Sequence, residues 1–554
     1  MLLVLSAAVA IFEALSIGLI FPILVTIFDG SSEGAPLTIA FNRIIEWGFQ
    51  VNTSMLSAGL LFFLFLIKSY AILKITQFQY TYLYGIKNRI SHQLYSGYMN
   101  SKYEYYLQIG SSTWAHHLQS ELFQLLGTVL VPLLHLYSEV LVIAFLLCVL
   151  FIIDFSATTV MLLVGLIIVF AYGSYASLRF KSMGLARQTA EGHRIRLINE
   201  SFSSFRESKI YGAGRSFSER YKSLSEAASS VEAKQSTLSR MPLIVLEMLL
   251  VSIVFIMVVV VEFSRVDASL NIISITFYLA VAFRMIPSLQ RILTSIQAIK
   301  FSESVTSLFE RELAAVRLEQ SKPTKKIDYL DSIRFEGVEY TYTGRSVPSL
   351  HNVNLEISKG DFVLITGESG AGKTTLLNLL LGLIIPTSGT ILIDNKSVCL
   401  VNEGWWRRLG YVPQSPVLLD ASLRENIAFG IAKSEIDSPS LDFAVRNAQL
   451  LPIIKGLPGG VECKCGEMGR NFSVGQIQRI GLARALYRRP SVLILDEPTS
   501  ALDYSVGRGT IMSLSRLRSE MTIITVSHNQ SMFDGIPIDK HFEVKGGGIF
   551  LRYD

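Results

Sequence analysis

A glycine-rich stretch that ends in a lysine and two threonines carries the clearest chemical signal in the sequence. GESGAGKTT, residues 367–375, fits the phosphate-loop pattern G-x-x-x-x-G-K-[ST]. Glycines let backbone N–H groups turn toward phosphate oxygens at a helix N-terminus, where the helix dipole favours negative charge. Lys373 can reach the β- and γ-phosphates, and the Thr374 hydroxyl can ligate Mg²⁺. We therefore predict a nucleotide site formed by Gly367, Glu368, Ser369, Gly370, Ala371, Gly372, Lys373, Thr374 and Thr375.

Two adjacent carboxylates extend the predicted chemistry from binding to hydrolysis. Asp496 and Glu497 directly follow the apolar run 492–495, which reads as a buried strand. An aspartate at a strand's end beside a phosphate loop holds Mg²⁺, often through water. Glu497 can then act as the general base that polarises the attacking water.

Three further side chains have types that suit the same site. Gln414, in YVPQS, can sense the γ-phosphate and ligate Mg²⁺. His528 follows another apolar strand in ITVSH and can contact the γ-phosphate. Tyr342, upstream of the phosphate loop, can stack on adenine. We predict Glu497, His528 and Gln414 as catalytic, with Thr374, Gln414 and Asp496 around the metal.

A second anion-binding pattern lies in FSVGQIQRIGLARAL, residues 472–486. Ser473 and Gly475 precede a predicted helix, whose N-terminal N–H groups can bind an anion. This site is separate from the phosphate loop, so it is useful only if it meets a nucleotide bound elsewhere. We predict that Ser473, Gly475 and Gln476 contact such a nucleotide.

The elements that position these residues form an α/β domain over residues 333–554, where short apolar strands alternate with helices. FVLIT, residues 362–366, reads as the strand before the phosphate loop, and TLLNLLLGL reads as the helix after its lysine. SKPTKK is polar and contains proline, which indicates a linker, placed at residues 319–332.

The composition separates this domain from an apolar first half. The 554 residues are 50% hydrophobic, mean hydropathy is +0.41, and 17% are charged, against about 25% in soluble domains. The apolar excess lies within the first 300 residues, which predicts a membrane domain over residues 1–318. A net charge of +5 is too small to indicate nucleic-acid binding. The four cysteines indicate neither a disulfide framework nor a zinc site.

Six apolar segments approach the roughly 20 residues that span a bilayer. They are residues 2–28, 54–78, 129–153, 157–178, 243–262 and 270–293. The long stretches 79–128 and 179–242 are rich in lysine and arginine, so the positive-inside rule places them and the α/β domain in the cytoplasm. Breaks near 102–112 and 212–220 read either as coupling loops that dock the nucleotide domain or as featureless turns. Residues 36–50 read as an outer-face helix or as a plain loop.

Charged residues inside the apolar segments are candidates for substrate contact, because ionisable groups at membrane depth are costly. Arg284 and Arg291 are two helical turns apart, so they share a face of the sixth segment, and Pro287 between them predicts a kink. Together with Lys68 they could bind an anionic headgroup such as a diphosphate. The alternative is internal pairing of the arginines with Glu13 or Glu247.

The α/β half resembles the ATP-binding cassette (ABC) family along its whole length. Six motifs occur in order: Walker A GESGAGKTT, the Q-loop Gln414, the signature FSVGQ, Walker B VLILDE, the D-loop SALD ending in Asp503, and the switch histidine His528. With six spans, the resemblance implies a half-transporter with the type I ABC exporter (type IV transporter) fold. Family members dimerise and hold two ATP·Mg²⁺ between the phosphate loop of one subunit and the signature of the other. A homodimer is the simplest assembly.

The signature departs from the usual LSGG, since Phe472 and Val474 replace the leucine and the first glycine, and Val474 is expected to slow turnover. The membrane half resembles lipid-linked oligosaccharide flippases in FEALSIGLIFPIL, in VLEMLL and in AFRMIPSLQRILTS, and Lys68 stands where such flippases carry arginine. The resemblance implies ATP-driven export or flipping of a lipid-linked saccharide or similar amphiphile across the cytoplasmic membrane. The alternatives are a peptide exporter of bacteriocin type and a non-transporting membrane ATPase or ATP-gated channel.

Overall fold

The computed structural model describes residues 4, 7–9, 11, 53–153, 155–264, 268–319, 331–397 and 402–552. These residues fall into two compact units. The first comprises described residues of Met1–Ser101 and Tyr106–Ser321, and the second those of Lys102–Tyr105 and Lys322–Asp554. The predicted span at 2–28 lies mostly outside the described residues, and the predicted outer-face helix at 36–50 lies wholly outside them.

The described part of the first 319 residues is helical. Its α-helices are α1 (Thr53–Met99), α2 (Tyr103–Ile109), α3 (Ser111–His116), α4 (Leu122–Leu125), α5 (Val131–Ile153), α6 (Phe155–Ser203), α7 (Phe205–Ile210), α8 (Gly214–Ser264), α9 (Ala268–Phe301) and α10 (Glu303–Glu319). Two π-helical turns, His117–Glu121 and Leu126–Leu130, join α3, α4 and α5 into one helical run. The 49 residues of α6 extend about 74 Å at 1.5 Å per residue, far more than a bilayer's hydrocarbon core of about 30 Å.

One helical run in the described residues, Ser111–Cys148, is long and apolar enough to cross a membrane by length and composition alone. The other predicted spans that the structure describes lie within longer helices: 54–78 in α1, 157–178 in α6, 243–262 in α8 and 270–293 in α9. The number of six spans remains a prediction. Helix α9 runs through Pro287 without interruption.

The two breaks predicted in the long polar stretches are present, with different bounds. The first contains the short helix α2, preceded by Asn100–Lys102 and followed by Gly110, whose φ is +82°. The second is narrower than the predicted 212–220, because only Tyr211–Ala213 form the turn and α8 already begins at Gly214. A φ of +64° at Gly212 explains the turn, since such a backbone favours glycine.

Apolar seams hold the long helices of the first unit together. Helices α5 and α9 share a buried cluster of Val142, Leu146 and Leu150 with Val281 and Met285. Helices α6 and α9 come closest at Gly184, where an added Cβ would lie 1.7 Å from the carbonyl oxygen of Phe301. Only glycine permits this backbone approach.

A fully buried carboxylate also connects two helical segments of this unit. Glu121 has no solvent exposure, and Arg187 Nη2 of α6 donates to its two oxygens over 3.0 and 3.2 Å. His116 Nε2 lies 3.2 Å from Glu121 Oε1, and Gln188 Nε2 donates to Oε2 over 3.4 Å. The buried charge is therefore compensated from both its own helical run and α6, as burial of a carboxylate requires.

The second unit contains two sheets. The strands are β1 (Ser332–Tyr340), β2 (Leu350–Ser358), β3 (Phe362–Gly367), β4 (Ser388–Ile393), β5 (Lys396–Ser397), β6 (Leu409–Val412), β7 (Val492–Asp496), β8 (Thr522–Val526), β9 (Lys540–Lys545) and β10 (Gly548–Arg552). An antiparallel sheet has the order β2-β1-β4-β5. The larger sheet has the order β10-β9-β3-β8-β7-β6, parallel from β9 to β6, with β10 antiparallel at its edge.

Seven α-helices accompany these strands in the described part of the unit. They are α11 (Lys373–Leu380), α12 (Asn402–Trp406), α13 (Leu423–Ile427), α14 (Ser438–Asn447), α15 (Leu451–Gly456), α16 (Val474–Tyr487) and α17 (Tyr504–Ser515). Short 3₁₀ turns lie at Lys433–Glu435, Gly460–Glu462, Glu467–Gly469 and Gln530–Phe533.

Strand β3 lies between two apolar cores, which explains why its sequence is apolar at every position but its end. Phe362 and Leu364 enter a core with helices on one face, while Val363 and Ile365 enter a core shared with the antiparallel sheet and α11. This is the alternation of a strand buried on both faces. Because β3, β7 and β8 are parallel, their carboxyl ends meet at one edge of the sheet, where ligands bind in such folds.

Candidate functional site

The loop between β3 and α11 is shaped by glycines. Gly370 and Gly372 have φ values of +81° and +113°, and Gly372 caps the N-terminus of α11. A Cβ on Gly372 would lie 2.8 Å from both Leu350 Cδ2 and the carbonyl oxygen of Ser349. The glycine is therefore required for both the backbone conformation and the close packing of β2 behind the loop.

Lys373 folds back over this loop. Its Nζ donates to the carbonyl oxygens of Gly367 and Glu368, each over 2.8 Å. Burial lowers the pKa of Lys373, while the negative charges of Glu497 and Asp496 oppose that effect. The cation is thus held at the mouth of a loop whose N–H groups can face an anion, the arrangement expected of a phosphate site.

A cavity of about 700 Å³ opens beside the loop. The predicted residues that line it are Tyr342, Ser369, Gly370, Ala371, Gly372, Lys373, Thr374, Thr375, Gln414, Asp496, Glu497 and His528. Gly367 and Glu368 do not line the cavity, but their carbonyl oxygens accept hydrogen bonds from Lys373, which does. The cavity therefore brings together predicted residues that are as much as 186 positions apart in the sequence, Tyr342 and His528.

Glu497 is fixed from two sides. Gln414 Nε2 donates to its Oε2 over 2.9 Å, and His528 Nε2 lies 2.9 Å from its Oε1. Its φ of +50° is unusual for a residue other than glycine, and such backbone strain often accompanies functional positions. Its N–H donates to the carbonyl of Val526, which ties the strained residue to the end of β8.

Asp496 provides a test of whether the residues fit Mg²⁺. Burial and the neighbouring charge of Glu497 raise the pKa of Asp496, with Lys373 and His528 opposing. A bound cation would relieve that unfavourable environment, and the Thr374 hydroxyl and Gln414 amide line the same cavity with oxygen ligands of the kind Mg²⁺ prefers. The described residues contain no cluster of three or more His, Cys, Asp or Glu side chains that could hold a metal without such help. These oxygen ligands therefore suit an Mg²⁺ ion that would also be coordinated by phosphate oxygens.

An aromatic ring, that of Tyr342, also lines the cavity. The Tyr342 hydroxyl lies 3.3 Å from Thr375 Oγ1, and its ring meets Tyr340 edge-on with centroids 4.9 Å apart. The guanidinium carbon of Arg345 lies 5.9 Å from the centre of the Tyr342 ring. The ring is thereby held in one orientation, which suits stacking against a planar base.

Part of the cavity wall consists of residues that were not predicted. Arg345, Val347, Pro348 and Ser349 line the cavity from the segment between β1 and β2, and Gly546 and Gly547 line it from the β9–β10 turn. Gly547 N donates to Ala371 O of the phosphate loop over 3.3 Å, and Gly547 O accepts from His351 N over 2.9 Å. Consecutive glycines are typical of a turn, but no local pattern indicates that a turn so distant in the sequence lies beside the phosphate loop.

The signature residues do not line this cavity. Ser473 caps α16, its hydroxyl accepting from Gln476 N over 3.3 Å while Gln476 Oε1 accepts from Ser473 N over 2.9 Å. Val474 is 66% exposed, and Gly475 packs against Ala501, where a Cβ would approach the carbonyl oxygen to 2.8 Å. Asp503 is exposed, and its side chain makes no capping hydrogen bond to α17. The signature is thus a pre-formed helix start that lies outside the cavity beside its own phosphate loop.

The three predicted substrate residues are placed less completely. Lys68 Nζ lies 4.9 Å from the centre of the Phe65 ring on α1. Arg291 Nε lies 2.5 Å from Glu139 Oε1, a carboxylate that the pairing alternative did not name. Glu13, one of the two partners it named, lies outside the described residues. The side chain of Arg284 lies outside the described residues.

Comparison with known proteins finds sequence similarity within the second unit. The family described as "ABC transporter" matches residues 350–500. The "ATP-dependent lipid A-core flippase 2" of Colwellia psychrerythraea is 39% identical over 201 residues, which are 36% of this chain and 34% of that protein. The "Alpha-hemolysin translocation ATP-binding protein" of Escherichia coli O157:H7 is 40% identical over 200 residues, 36% of this chain and 28% of that protein. A "Leukotoxin translocation ATP-binding protein" of Mannheimia glucosida is 38% identical over 200 residues, 36% of this chain and 28% of that protein.

The chain thus spans about a third or less of the length of the relatives it matches. A solved structure described as "a bacterial Atm1-family ABC exporter with ATP bound" superposes with a TM-score of 0.80 at 19% identity, covering 99% of this chain and 93% of that one. This likeness shows the fold alone, a helical exporter-type region followed by an α/β nucleotide-binding domain, and it confirms the predicted fold class.

Proposed function

We propose that this chain is one half of a dimeric, ATP-driven exporter or flippase that moves an amphiphile across the cytoplasmic membrane. The observation that carries the proposal is the single cavity that gathers Lys373, Asp496, Glu497 and His528 in a chain with the exporter fold. A multi-pass arrangement with the α/β domain in the cytoplasm is part of the same proposal, supported by the positive charge of the long polar stretches.

ATP hydrolysis follows from what the side chains can do. Lys373 exchanges its two carbonyl partners for β- and γ-phosphate oxygens, and Tyr342 stacks on adenine. Glu497, oriented by Gln414 and His528, accepts the proton of the attacking water as general base. Mg²⁺, held by Thr374, Gln414 and Asp496, would neutralise charge that develops on the phosphates.

A second subunit completes the site. Because Ser473, Gly475, Gln476 and Asp503 do not line the cavity of their own chain, their predicted role requires a nucleotide bound to another copy. Glu497 and His528 are both present, so an identical subunit suffices. We therefore propose a homodimer with two composite ATP sites, each made of one phosphate loop and the partner's signature.

Coupling to the membrane half is proposed through the first cytoplasmic break. Lys102–Tyr105 groups with the C-terminal unit, and within that unit Glu104 Oε1 accepts from the Tyr340 hydroxyl over 3.4 Å and from Ile385 N over 3.5 Å. Movement of the nucleotide domain would thereby be transmitted to α1 and to the helical run that begins at Ser111.

The proposed cargo is a lipid-linked saccharide or a similar amphiphile, with Lys68, Arg284 and Arg291 as candidate headgroup contacts. Peptide export is the second candidate, because the relatives named for toxin translocation are as similar to the cassette as the relative named for lipid A-core flipping. The cassette therefore does not discriminate between these cargoes, and the membrane half must.

Reconstitution in liposomes tests the proposal. The wild-type chain is expected to hydrolyse ATP only with Mg²⁺, and hydrolysis should rise with lipid-linked saccharides and not with hydrophobic peptides. Stimulation by peptides alone would favour peptide export. Hydrolysis that responds to neither cargo, with no lipid or peptide moved, would favour a non-transporting ATPase.

A further inference from the structure

An ion pair lies at one end of the apolar seam between α5 and α9. Glu139 Oε1 and Arg291 Nε are 2.5 Å apart, and the buried Val142, Leu146 and Leu150 continue the seam on α5. Eleven residues separate Glu139 from Leu150, or about 17 Å along the helix. The pair is therefore the polar end of an otherwise apolar helix contact.

The two partners differ in their surroundings. The Glu139 side chain is only 10% exposed, whereas that of Arg291 is 43% exposed. Glu139 Oε2 is buried and has no hydrogen-bond partner among the residues the structure describes. A guanidinium has five N–H donors in a planar fork, and here the buried Nε lies beside the carboxylate while 43% of the Arg291 side chain is accessible.

We infer that Glu139 is an internal counter-anion that holds Arg291 until an anionic headgroup replaces it. The inference rests on the proposed transport function and names the substrate class: amphiphiles whose headgroup carries a phosphate-type anion. An unpaired arginine at membrane depth is costly, and Glu139 offsets that cost without ligand. A phosphate can bind the guanidinium fork through two oxygens, whereas an uncharged amphiphile has no anion with which to replace the carboxylate.

Glu139 thus acts as a specificity-determining residue. Every anionic ligand must break the Glu139–Arg291 contact, which lowers its apparent affinity, and every uncharged ligand leaves the contact intact. Removing the charge of Glu139 while keeping its shape should strengthen anionic binding. Removing the charge of Arg291 should weaken it.

The test uses the full chain in liposomes and measures the lipid concentration that half-maximally stimulates ATP hydrolysis. The probes are a polyprenyl diphosphate and the corresponding uncharged polyprenol. For Glu139→Gln we expect this concentration to fall about ten-fold for the diphosphate, a change at the lower end of coupling energies for close charge pairs, with no change for the alcohol. For Arg291→Gln we expect stimulation by the diphosphate to be lost.

Three variants control for folding and for general charge effects. Glu139→Asp keeps the charge and should respond like the wild type. Glu247→Gln removes an exposed carboxylate of α8 and should change neither probe's effect. The exchanged pair, Glu139→Arg with Arg291→Glu, retains opposite charges, and its diphosphate response should fall as that of Arg291→Gln does.

The outcomes separate this inference from the function on which it rests. An unchanged half-maximal concentration in Glu139→Gln overturns the counter-anion role, even when Arg291→Gln abolishes the response. Equal stimulation of the wild type by diphosphate and alcohol overturns the anionic substrate class. Absence of Mg²⁺-dependent ATP hydrolysis in the wild type would instead overturn the proposed function.

Discussion

Replacing Glu497 by glutamine isolates its ability to accept a proton. Both carboxylate oxygens are engaged, by Gln414 Nε2 and His528 Nε2 at 2.9 Å each. Glutamine has the same shape, so its carbonyl can accept from Gln414 while its amide donates to a neutral imidazole. The cavity's geometry should therefore survive the change, and only the basicity is removed.

The expected loss follows from the usual contribution of general-base catalysis. That contribution is about 10²- to 10⁴-fold in rate, or about 2.7–5.4 kcal/mol at 1.36 kcal/mol per decade. We therefore expect kcat of Glu497→Gln to fall by at least about 100-fold, while the dissociation constant for ATP stays within about three-fold of the wild-type value. The nucleotide should accumulate on the protein unhydrolysed.

Two measurements check this prediction: release of inorganic phosphate under saturating ATP and equilibrium binding of a fluorescent ATP analogue. Glu467→Gln, which removes an exposed carboxylate outside the cavity, is the matched control and should hydrolyse ATP like the wild type. A Glu497→Gln variant that keeps more than about a tenth of the wild-type kcat would refute the general-base assignment.

Three other variants test separate parts of the structure. Because burial raises the pKa of Asp496, its ionised form destabilises the fold at neutral pH, and this penalty shrinks as the pH falls through the raised pKa. Asp496→Asn should therefore raise the thermal midpoint in Mg²⁺-free buffer at neutral pH and raise it less at acidic pH, yet abolish Mg²⁺-dependent hydrolysis. Val474→Gly should raise kcat severalfold with little change in thermal midpoint, since the side chain is 66% exposed, and an unchanged kcat would show that the valine does not slow turnover. Arg187→Met should destabilise the first unit by about 3–5 kcal/mol by leaving Glu121 buried without its arginine, and adding Glu121→Gln should recover most of that loss in thermal unfolding.

The nucleotide site could be predicted because each of its main chemical groups belongs to a short, recognisable sequence pattern. The phosphate loop, the acidic pair after β7 and the histidine after β8 each follow an apolar strand, and parallel strands bring such ends to one edge. The phosphate-loop motif therefore predicted the backbone geometry of the loop itself. Arg345 and the Gly546–Gly547 turn were not predictable, because their place in the wall depends on which strands pair across long stretches of chain.

The membrane half shows the limit of pattern reasoning more sharply. The sequence predicted the long helices and the two breaks between them. The second break is confined to Tyr211–Ala213, because α8 already begins at Gly214. The sequence predicted that Arg291 contacts a headgroup, with pairing to Glu13 or Glu247 as the alternative. Selecting Glu139 required the packing of α5 against α9, which depends on tertiary contacts and not on spacing.

Lys373 and Arg291 share one physical arrangement, although they belong to different units. Each cation already has an internal oxygen partner: two backbone carbonyls for Lys373 and the Glu139 carboxylate for Arg291. An incoming phosphate must therefore replace an existing contact, so the free energy of binding is the difference between two contacts and not the strength of one. The two exchanges are unequal, because carbonyl oxygens carry partial charge and a carboxylate carries a full one. ATP should consequently displace its competitor readily, whereas the membrane site should respond only to strongly anionic headgroups, which makes Glu139 the residue at which selectivity can be changed without altering the ATPase.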